Sequence, residues 1–419
     1  MKILKVVHCF PPDSMSGSEI YAYNLAQELS KDHEVRIFYR TKNPKKRNHE
    51  LEISSYNGLK LYKINNTLRR YNSLEKIYYN SEIEKKLEHV LDEFKPDVVH
   101  IHHLLFLSLG IVDIIKSKNI PIVFTLHDYW LMCPRGQLLK ANLRICKDPS
   151  SSNCLLCLLA GLRPSNLIKK ILTLQVPRKI SKRHGVDIKS FFKKIDLFIA
   201  PSEYLKKRFI GWGLDRGKIM YSDHGMNTGL FVDSKKIPSD KIRIGFIGTL
   251  IPAKGAHILI KAFKRLEKDR ALLKIYGHSP INNGIFDFNH RIRFMARGRN
   301  DISFMGKFDN KDIENIFKEI DLLVFPSLWE ENSPLILREA ILSGTPVLTS
   351  NIGGVSEIIH DKKYLFKPGD SDELFHKIKE LTVNRNTLRP PEYNPSLIKD
   401  IKSNAQEMNG IYHKLVCQP

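Results

Sequence analysis

The stretch that decides the fold is residues 325–357, FPSLWEENSPLILREAILSGTPVLTSNIGGVSE, in which two carboxylates, Glu331 and Glu339, lie eight positions apart. Pro334 suits the first turn of a helix and Gly344 its end, which predicts a short helix that carries Glu339, with Glu331 in the loop before it. Apolar strands are predicted on both sides, so both acids fall at the carboxyl end of a parallel sheet, where open α/β folds bind ligands. Carboxylates at that edge can bind the vicinal hydroxyls of a sugar.

Predicted strands and helices alternate along the chain, and a polar, Lys-rich stretch at 233–241 interrupts the pattern. Such alternation requires right-handed crossovers and mostly parallel sheets. The sequence therefore predicts two doubly wound, Rossmann-like α/β domains, 1–232 and 233–393, which face each other across a cleft. An apolar helical period predicts a terminal helix within 394–419. The predicted strands are 3–8, 35–39, 59–64, 98–102, 122–126, 197–200, 219–222, 242–247, 272–276, 302–304, 322–325 and 345–349, and the predicted helices are 18–30, 74–94, 105–116, 204–212, 254–267, 289–296, 311–318 and 334–343.

Length and composition agree with two domains, since 419 residues exceed what one core usually serves and 42% hydrophobic residues can fill two. No run reaches the roughly 18 uncharged apolar residues that span a bilayer. The chain begins directly with a strand in place of a signal peptide, so we expect a cytoplasmic protein. Six cysteines without a secretory signal argue against a disulfide framework.

The formal net charge of +22 is concentrated in the first half, where residues 1–232 contain 38 Lys/Arg and 22 Asp/Glu. Within 161–200, ten basic residues are interleaved with leucines and isoleucines. One interpretation is a surface that contacts anionic lipid on the inner face of the plasma membrane, and the other is a solvated helix. Nucleic-acid binding is a rival explanation of the charge. It is disfavoured, because the sequence has no zinc finger, RNA-recognition motif or heptad-backed basic region.

The 325–357 stretch closely resembles the E-x7-E signature of family-4 retaining glycosyltransferases, also grouped as group 1 glycosyl transferases. These enzymes have the GT-B fold and move a sugar from a nucleotide diphosphate sugar to an acceptor. The resemblance implies that Glu331 contacts donor-sugar hydroxyls, that Glu339 holds the ribose, and that Gly353 and Gly354 line the phosphate side of the cleft. It also implies that the terminal helix packs back onto the first domain. The residues between the two acids that complete the implied donor site are Asn332, Ser333, Pro334 and Leu335.

Two glycine-containing loops carry the same likeness. The segment 10–19 follows the first strand and opens the first helix, where Gly17 lets the chain approach a phosphate; Ser16 stands where the family usually has another glycine. In the second domain, 246–255 resembles the family's phosphate loop, with Gly248 before the position of a basic residue.

That basic position is occupied by Thr249, while Lys254 matches the family's lysine. Preorganised positive charge stabilises a departing diphosphate, so Lys254 is expected to matter most there. Because Thr249 carries no charge, we expect Arg338 to supply a second cation.

A further resemblance lies at 125–130, where His127 matches a histidine that contacts the donor sugar from the first domain. Asp128 is expected to orient the loop. His100, His102 and His103 follow a neighbouring strand, but without a carboxylate or cysteine at ligand spacing they do not predict a metal site. His102 is kept as a weaker cleft candidate.

The cysteines Cys133, Cys146, Cys154 and Cys157 lie in an insertion at about 129–165. One Cys-x2-Cys pair and two further thiols suit a structural zinc, and reduced buried thiols are the alternative. The Asp370-Ser-Asp372 tripeptide resembles a metal-binding D-x-D motif, but Asp370 followed by Glu373 before an apolar helical period predicts a helix cap.

The function implied is retaining transfer of a hexosyl or N-acetylhexosaminyl group from a UDP- or GDP-linked donor to a glycan or lipid-linked acceptor, in cell-surface polysaccharide or glycolipid synthesis. No catalytic cofactor is expected, and His127, Lys254 and Glu331 are the expected catalytic residues. The alternative enzyme is a GT-B-fold nucleotide-sugar epimerase, which needs no acceptor. The non-enzyme alternative is a basic nucleic-acid-binding protein.

Overall fold

A computed structural model describes most of the chain, in two α/β lobes that each contain one sheet. The first lobe is built mainly from residues before 232 and the second from those after 234. The described residues are 1–67, 78–147, 149, 154, 157, 188–231, 235–279, 288–383, 388–390 and 398–417.

The first sheet has the strand order β3-β4-β2-β1-β5-β6-β7-β8, and every neighbouring pair is parallel except β3 with β4. The predicted strands are present within a few residues, but β3 was missed. It forms a hairpin with β4 through Asn57 and Gly58, whose φ angles of 47° and 83° suit the tight turn that Asn-Gly favours. The strands are β1 Lys2–Val7, β2 Glu34–Thr41, β3 Leu51–Tyr56, β4 Leu59–Asn65, β5 Val98–Ile101, β6 Ile122–Thr125, β7 Leu197–Ala200 and β8 Ile219–Tyr221.

The helices of the first lobe are α1 Gly17–Leu29, α2 Ser81–Phe94, α3 Ile111–Ser117, α4 Ile188–Lys194 and α5 Glu203–Gly211. Asn80 is the N-cap of helix α2. Its side chain accepts from the N–H groups of Glu82 and Ile83 at 3.2 and 3.4 Å. The prediction that α3 starts near Leu105 was wrong. Phe106 has φ 60°, so the apolar residues there belong to turns.

The second sheet has the order β11-β10-β9-β12-β13-β14 and is parallel throughout. Its carboxyl edge therefore carries the loops that follow β9 and β12, which contain the predicted donor site. The strands are β9 Ile242–Ile247, β10 Ala271–Tyr276, β11 Ile302–Gly306, β12 Leu322–Phe325, β13 Val347–Ser350 and β14 Leu365–Phe366, and the helices are α6 Ala256–Phe263, α7 Phe288–Met295, α8 Ile313–Lys318, α9 Leu335–Leu342 and α10 Ser371–Val383.

The terminal helix α11, Ile401–Cys417, packs against the first lobe. Its Tyr412 hydroxyl lies 2.6 Å from Nδ1 of His100, and its Asn404 accepts from the Tyr21 hydroxyl at 3.0 Å. Met408 is fully buried in the same contact. The chain therefore crosses back to the first lobe after building the second, while the boundaries 1–232 and 233–393 stay a proposal.

The D-x-D tripeptide is a helix cap, as predicted. Oδ1 of Asp370 accepts from the N–H groups of Asp372 and Glu373 at 3.0 and 2.9 Å, at the start of α10. The Glu373 carboxylate reaches back to the N–H of Lys367 at 2.9 Å. These hydrogen bonds stabilise the first turn of α10.

Residues 161–187 of the predicted basic surface, 161–200, lie outside the described residues. Its described end is α4, in which Phe191 and Phe192 are buried and Lys193 is exposed. Within the parts of the chain that the structure describes, no helix is both long and apolar enough to cross a bilayer.

Candidate active site

The carboxyl edges of the two sheets meet through their loops. The side-chain amide of Asn332, after β12, donates to the backbone carbonyl of His127, after β6, at 2.7 Å. A Cβ on Gly17, at the start of α1, would lie 3.9 Å from the Leu335 side chain at the start of α9. Residues predicted to be functional in separate halves of the sequence therefore come together at one interlobe cleft.

Glu331 is the centre of a dense hydrogen-bond cluster. Its Oε1 accepts from Lys254 Nζ at 2.7 Å, from the Ser327 hydroxyl at 2.7 Å and from the Trp329 indole at 2.6 Å. The Lys254 ammonium also lies 5.3 and 5.2 Å from the ring centroids of Phe325 and Trp329. The Glu331 side chain is only 4% exposed, so this charge pair is fixed in a poorly hydrated part of the cleft.

Close backbone packing holds the two loops that carry this pair. Gly255 has φ 73°, and a Cβ there would lie 1.8 Å from the carbonyl oxygen of Pro326. A Cβ on Gly353 would lie 2.2 Å from the Glu331 carbonyl, to which Gly354 donates its N–H at 2.6 Å. Gly353 and Gly354 therefore contact the backbone of Glu331. Such a close approach is possible because glycine has no side chain.

Glu339 lies on α9, the helix that directly follows the loop of Glu331. It is half-buried, and its carboxylate has no hydrogen bond or ion pair to the residues that the structure describes. Burial raises the pKa of Glu339 to about 7. A carboxylate without protein donors beside a cleft can accept hydrogen bonds from ligand hydroxyls.

A second close glycine contact lies at the predicted phosphate loop, 246–255. A Cβ on Gly277 would lie 1.9 Å from the carbonyl oxygen of Gly248, so the turn after β9 packs directly on the end of β10. Thr249 is half-buried, and its carbonyl accepts from the N–H of Ile251 at 2.9 Å. The only charged side chain of this loop in contact with Glu331 is Lys254, among the residues described.

Arg338 does not serve as the expected second cation. Its guanidinium makes two bonds to the carboxylate of Asp223, at 2.9 and 2.8 Å, and a third to the Ser333 hydroxyl at 2.8 Å. Both side chains of the ion pair are at most 4% exposed. Asp223 follows β8, so the pair joins the lobes and the arginine charge is already neutralised.

Two further ties connect the segment 330–357 with α5 of the first lobe. Nε of Arg208 lies 3.3 Å from Oε2 of Glu330. The Glu357 carboxylate accepts from the N–H groups of Glu203 and Tyr204 at 3.0 and 2.5 Å, at the start of α5, where a negative charge is favoured by the helix dipole. The segment 330–357 therefore carries contacts between the two lobes.

His127 is half-buried within an array of aromatic rings. Its Nε2 lies 3.1 Å from Nδ1 of His102, and its ring is stacked on His224 at 5.1 Å between centroids. Tyr21 packs on His224 at 4.0 Å. Burial lowers the pKa of His127 and His102 well below the usual value, so both rings are neutral at physiological pH.

The neighbouring side chains have structural partners. Oδ1 of Asp128 accepts from the N–H of Trp130 at 2.7 Å, which orients the loop as expected. Both ring nitrogens of His100 are engaged, by Tyr412 at 2.6 Å and Thr125 at 2.7 Å. His100 therefore has no free nitrogen with which to ligate a metal.

Two family models together match most of the chain. The sequence model described as Glycosyltransferase Family 4 matches residues 15–229, just over half of the chain, and the one described as Glycosyl transferases group 1 matches residues 230–400. The chain belongs to glycosyltransferase family 4. Membership favours glycosyl transfer over the nucleic-acid-binding and epimerase alternatives.

This family-4 glycosyltransferase is 24% identical over 372 residues to an "Uncharacterized 42.6 kDa protein in cps region" of Klebsiella pneumoniae, covering 85% of this chain and 87% of that protein. It is 25% identical over 365 residues to an uncharacterized glycosyltransferase of Methanocaldococcus jannaschii, covering 86% and 83%. Sucrose-phosphate synthase from Thermosynechococcus elongatus has TM-score 0.70 at 15% identity over 99% of both chains. Anabaena HepE in complex with UDP and glucose has TM-score 0.62 at 18% identity over 99% and 97%. These likenesses show the GT-B fold.

The cysteines of the glycosyltransferase do not support the zinc interpretation. Cys133, Cys146 and Cys154 are buried and Cys157 is half-buried, all as free thiols. In the described part of the chain, these four do not bring three sulfur atoms within ligand distance of one another. Backbone hydrogen bonds from 135, 137 and 138 instead surround the Cys133 sulfur, whose pKa burial raises, so the thiol form is favoured.

The described residues do contain a different group at ligand spacing, His8, Cys9 and Glu19. The Glu19 carboxylate, however, accepts from the N–H of Ser16 at 2.5 Å and the Ser14 hydroxyl at 2.9 Å. It completes the capping box of α1, so stabilising the first helix of the glycosyltransferase accounts for it.

Sequence reasoning missed several residues of the cleft. Asp223 and His224 follow the short strand β8 without any family-like pattern in the sequence, and the position of both after a strand end was the available signal. Neither ring nitrogen of His224 has a hydrogen-bond partner among the described residues. Tyr129 OH and Asn332 Oδ1 are also buried without a partner there. Buried polar atoms of this kind are the ones that a bound ligand satisfies.

Proposed function

We propose that this glycosyltransferase moves a sugar, with retention, from a UDP- or GDP-linked donor to a glycan or lipid-linked acceptor in cell-surface polysaccharide or glycolipid synthesis. The observation that carries the proposal is the Lys254–Glu331 ion pair in the interlobe cleft, with Glu339 on the helix that follows. Two relatives supply context: HepE was solved with UDP-glucose, and the Klebsiella relative is a protein of a cps region. The transferred group is proposed to be a hexosyl or N-acetylhexosaminyl unit.

In the proposed donor complex, Glu339 accepts hydrogen bonds from the ribose, and Glu331 and His127 contact the sugar. The Lys254 ammonium is shared between Glu331 and the diphosphate. The N–H groups of Leu335 and Ile336, at the start of α9, are proposed to present the positive end of the helix to the same phosphates. Charge that develops on the leaving diphosphate is thereby stabilised without a catalytic metal.

Retention is proposed to follow from attack on the face that the nucleotide leaves. The bond from the anomeric carbon to the diphosphate oxygen breaks as the bond to the acceptor oxygen forms, and the departing phosphate oxygen takes the acceptor proton. No covalent nucleophile is needed, and neither Glu331 nor Glu339 acts as one half of a glycosidase acid–base pair. Water exclusion by the interlobe ties favours transfer over hydrolysis.

The acceptor side is proposed to be the first lobe. A cavity of about 930 Å³ opens there beside the residues that follow β2 and β4 and the start of α2. Its lining includes aromatic, amide, basic and acidic groups, a mixture that suits a saccharide: Tyr79, Asn48, Asn80, Lys46, Lys86, Glu50 and Glu82. The basic segment 161–200 is proposed to bring the same lobe to anionic lipid on the cytoplasmic side of the membrane.

The test is a donor screen followed by product analysis. One of UDP-, GDP- and ADP-sugars should raise the melting temperature of the purified protein, and turnover should require an acceptor extract. The anomeric proton signal of the product should show the configuration of the donor. Release of an epimer from the donor without acceptor would establish the epimerase alternative, and an inverted product would reject retention.

A pH dependence is expected from Glu339. Ribose hydroxyls donate to its ionised form, so donor binding below pH 7 must release a proton. Affinity for the intact nucleotide sugar should therefore rise with pH, by up to about tenfold per unit below pH 7, and level off above it. Glu339→Gln should bind more weakly with no such slope, as measured by calorimetry from pH 5.5 to 8. The same slope in Glu339→Gln would assign the titration to another group.

A further inference from the structure

Lys5 is an unusual feature of the first sheet. It lies in the middle of the central strand β1 and is fully buried. Among the described residues its ammonium group has one hydrogen-bond partner, Nε2 of His102 at 3.2 Å, and no ion pair with a carboxylate. Burial lowers the pKa of Lys5 well below the usual value. A lysine in such a place lowers stability relative to an apolar side chain, so its nitrogen requires another explanation.

The nitrogen begins a chain of hydrogen bonds that ends in the cleft. Lys5 Nζ contacts His102 Nε2 at 3.2 Å, and His102 Nδ1 contacts His127 Nε2 at 3.1 Å. The His102 ring is stacked on His100 at 4.2 Å between centroids, which fixes its plane. His127 Nδ1, at the end of the chain, has no partner among the described residues.

The proton positions along this chain are linked. His102 is neutral, so only one of its nitrogens carries a proton. An ammonium group can only donate, whereas a neutral amine can donate or accept. When Lys5 donates, His102 Nε2 accepts, so His102 Nδ1–H donates to His127 Nε2 and the proton of the neutral His127 ring lies on Nδ1.

We propose that Lys5 is a positioning residue that donates to His102 Nε2 and so, through His102, holds His127 as the Nδ1–H tautomer, whose N–H donates to a hydroxyl or ring oxygen of the bound sugar. The inference rests on the proposed donor-sugar role of His127. Removing the amine leaves His102 Nε2 with no donor, and either tautomer of His102 then has one unsatisfied nitrogen. The two tautomers become comparable in energy, and His127 loses its fixed donor.

The direct test is nitrogen-15 NMR of the histidine rings in the full-length protein, with His127 assigned by loss of its signals in His127→Gln. The native protein should show His127 protonated on Nδ1, and Lys5→Met should show averaged or mixed signals. Lys2→Met, at an exposed position of the same strand, is the matched control and should keep the native pattern. A native His127 protonated on Nε2, or an unchanged pattern in Lys5→Met, would overturn the inference.

Kinetics separate this role from a merely structural one. Loss of one well-aligned hydrogen bond should lower kcat/KM for the donor sugar about tenfold in Lys5→Met. Affinity for the nucleotide without its sugar should stay within about twofold, because those contacts lie in the second lobe. Lys5→Gln retains a neutral N–H donor and should recover part of the loss. The NMR experiment needs no nucleotide sugar. If the native protein shows the predicted His127 tautomer but binds no nucleotide sugar, the proposed function is rejected and the tautomer assignment is kept.

Discussion

Lys254→Met is expected to lower turnover by about two to three orders of magnitude, the usual effect of removing one preorganised group that stabilises developing charge. Lys254 is the cation that the structure places on Glu331, at 2.7 Å, and its loss leaves that carboxylate unpaired beside the diphosphate. Turnover with the donor found in the screen measures the effect. Lys261→Met, at an exposed position on α6, is the matched control and should retain native activity.

A double variant separates the two roles that Lys254 could have. If it only neutralises Glu331, then Lys254→Met combined with Glu331→Gln should recover activity relative to Lys254→Met alone. If it stabilises the leaving diphosphate, as proposed, the double variant should be no more active than either single one. Turnover of Lys254→Met within threefold of native would contradict both roles.

Arg338→Met is expected to destabilise the protein by about 3–5 kcal/mol, because it leaves the buried Asp223 carboxylate without its partner. The Asp223→Asn/Arg338→Met double variant removes both charges and should recover most of this loss. Chemical denaturation followed by fluorescence measures the free energy of unfolding of each form. Arg265→Met, whose partner Asp372 is largely exposed, should change it by less than about 1 kcal/mol.

The same set tests what Arg338 does for the donor. The double variant should bind the nucleotide sugar with near-native affinity, since the arginine is tied to Asp223 and not offered to phosphate. A recovered stability with donor affinity still lowered more than tenfold would show that Arg338 reaches the diphosphate after all.

The parts of the site that the sequence predicted share one property: each lies in a short segment that has a local pattern of its own. Glu331, Glu339 and the glycines of 325–357 form one loop–helix–strand unit, and β12, α9 and β13 are within two residues of their predicted bounds. Lys254 was found because its loop has a recognisable glycine spacing. Local pattern sufficed where local geometry builds the site.

Residues that work through distant partners could not be found this way. Arg338 was expected to contact the diphosphate because Thr249 carries no charge and Arg338 is next to Glu339; its actual partner, Asp223, is 115 positions away in the sequence. Lys5 fitted an ordinary strand pattern, and its contact with His102 depends on how β1 and β5 pair. The zinc interpretation rested on cysteine spacing alone, which does not determine whether the sulfur atoms converge. The missed strand β3 was different, because Asn57-Gly58 was a local signal.

The most direct test of the account is a crystal structure with the nucleotide sugar that the screen selects. We predict the ribose hydroxyls within 3.2 Å of the Glu339 carboxylate, the diphosphate on Lys254 and the start of α9, and the sugar between Glu331 and His127, all within about hydrogen-bond distance. A nucleotide bound elsewhere, with the Lys254–Glu331 pair and Glu339 untouched, would contradict the account.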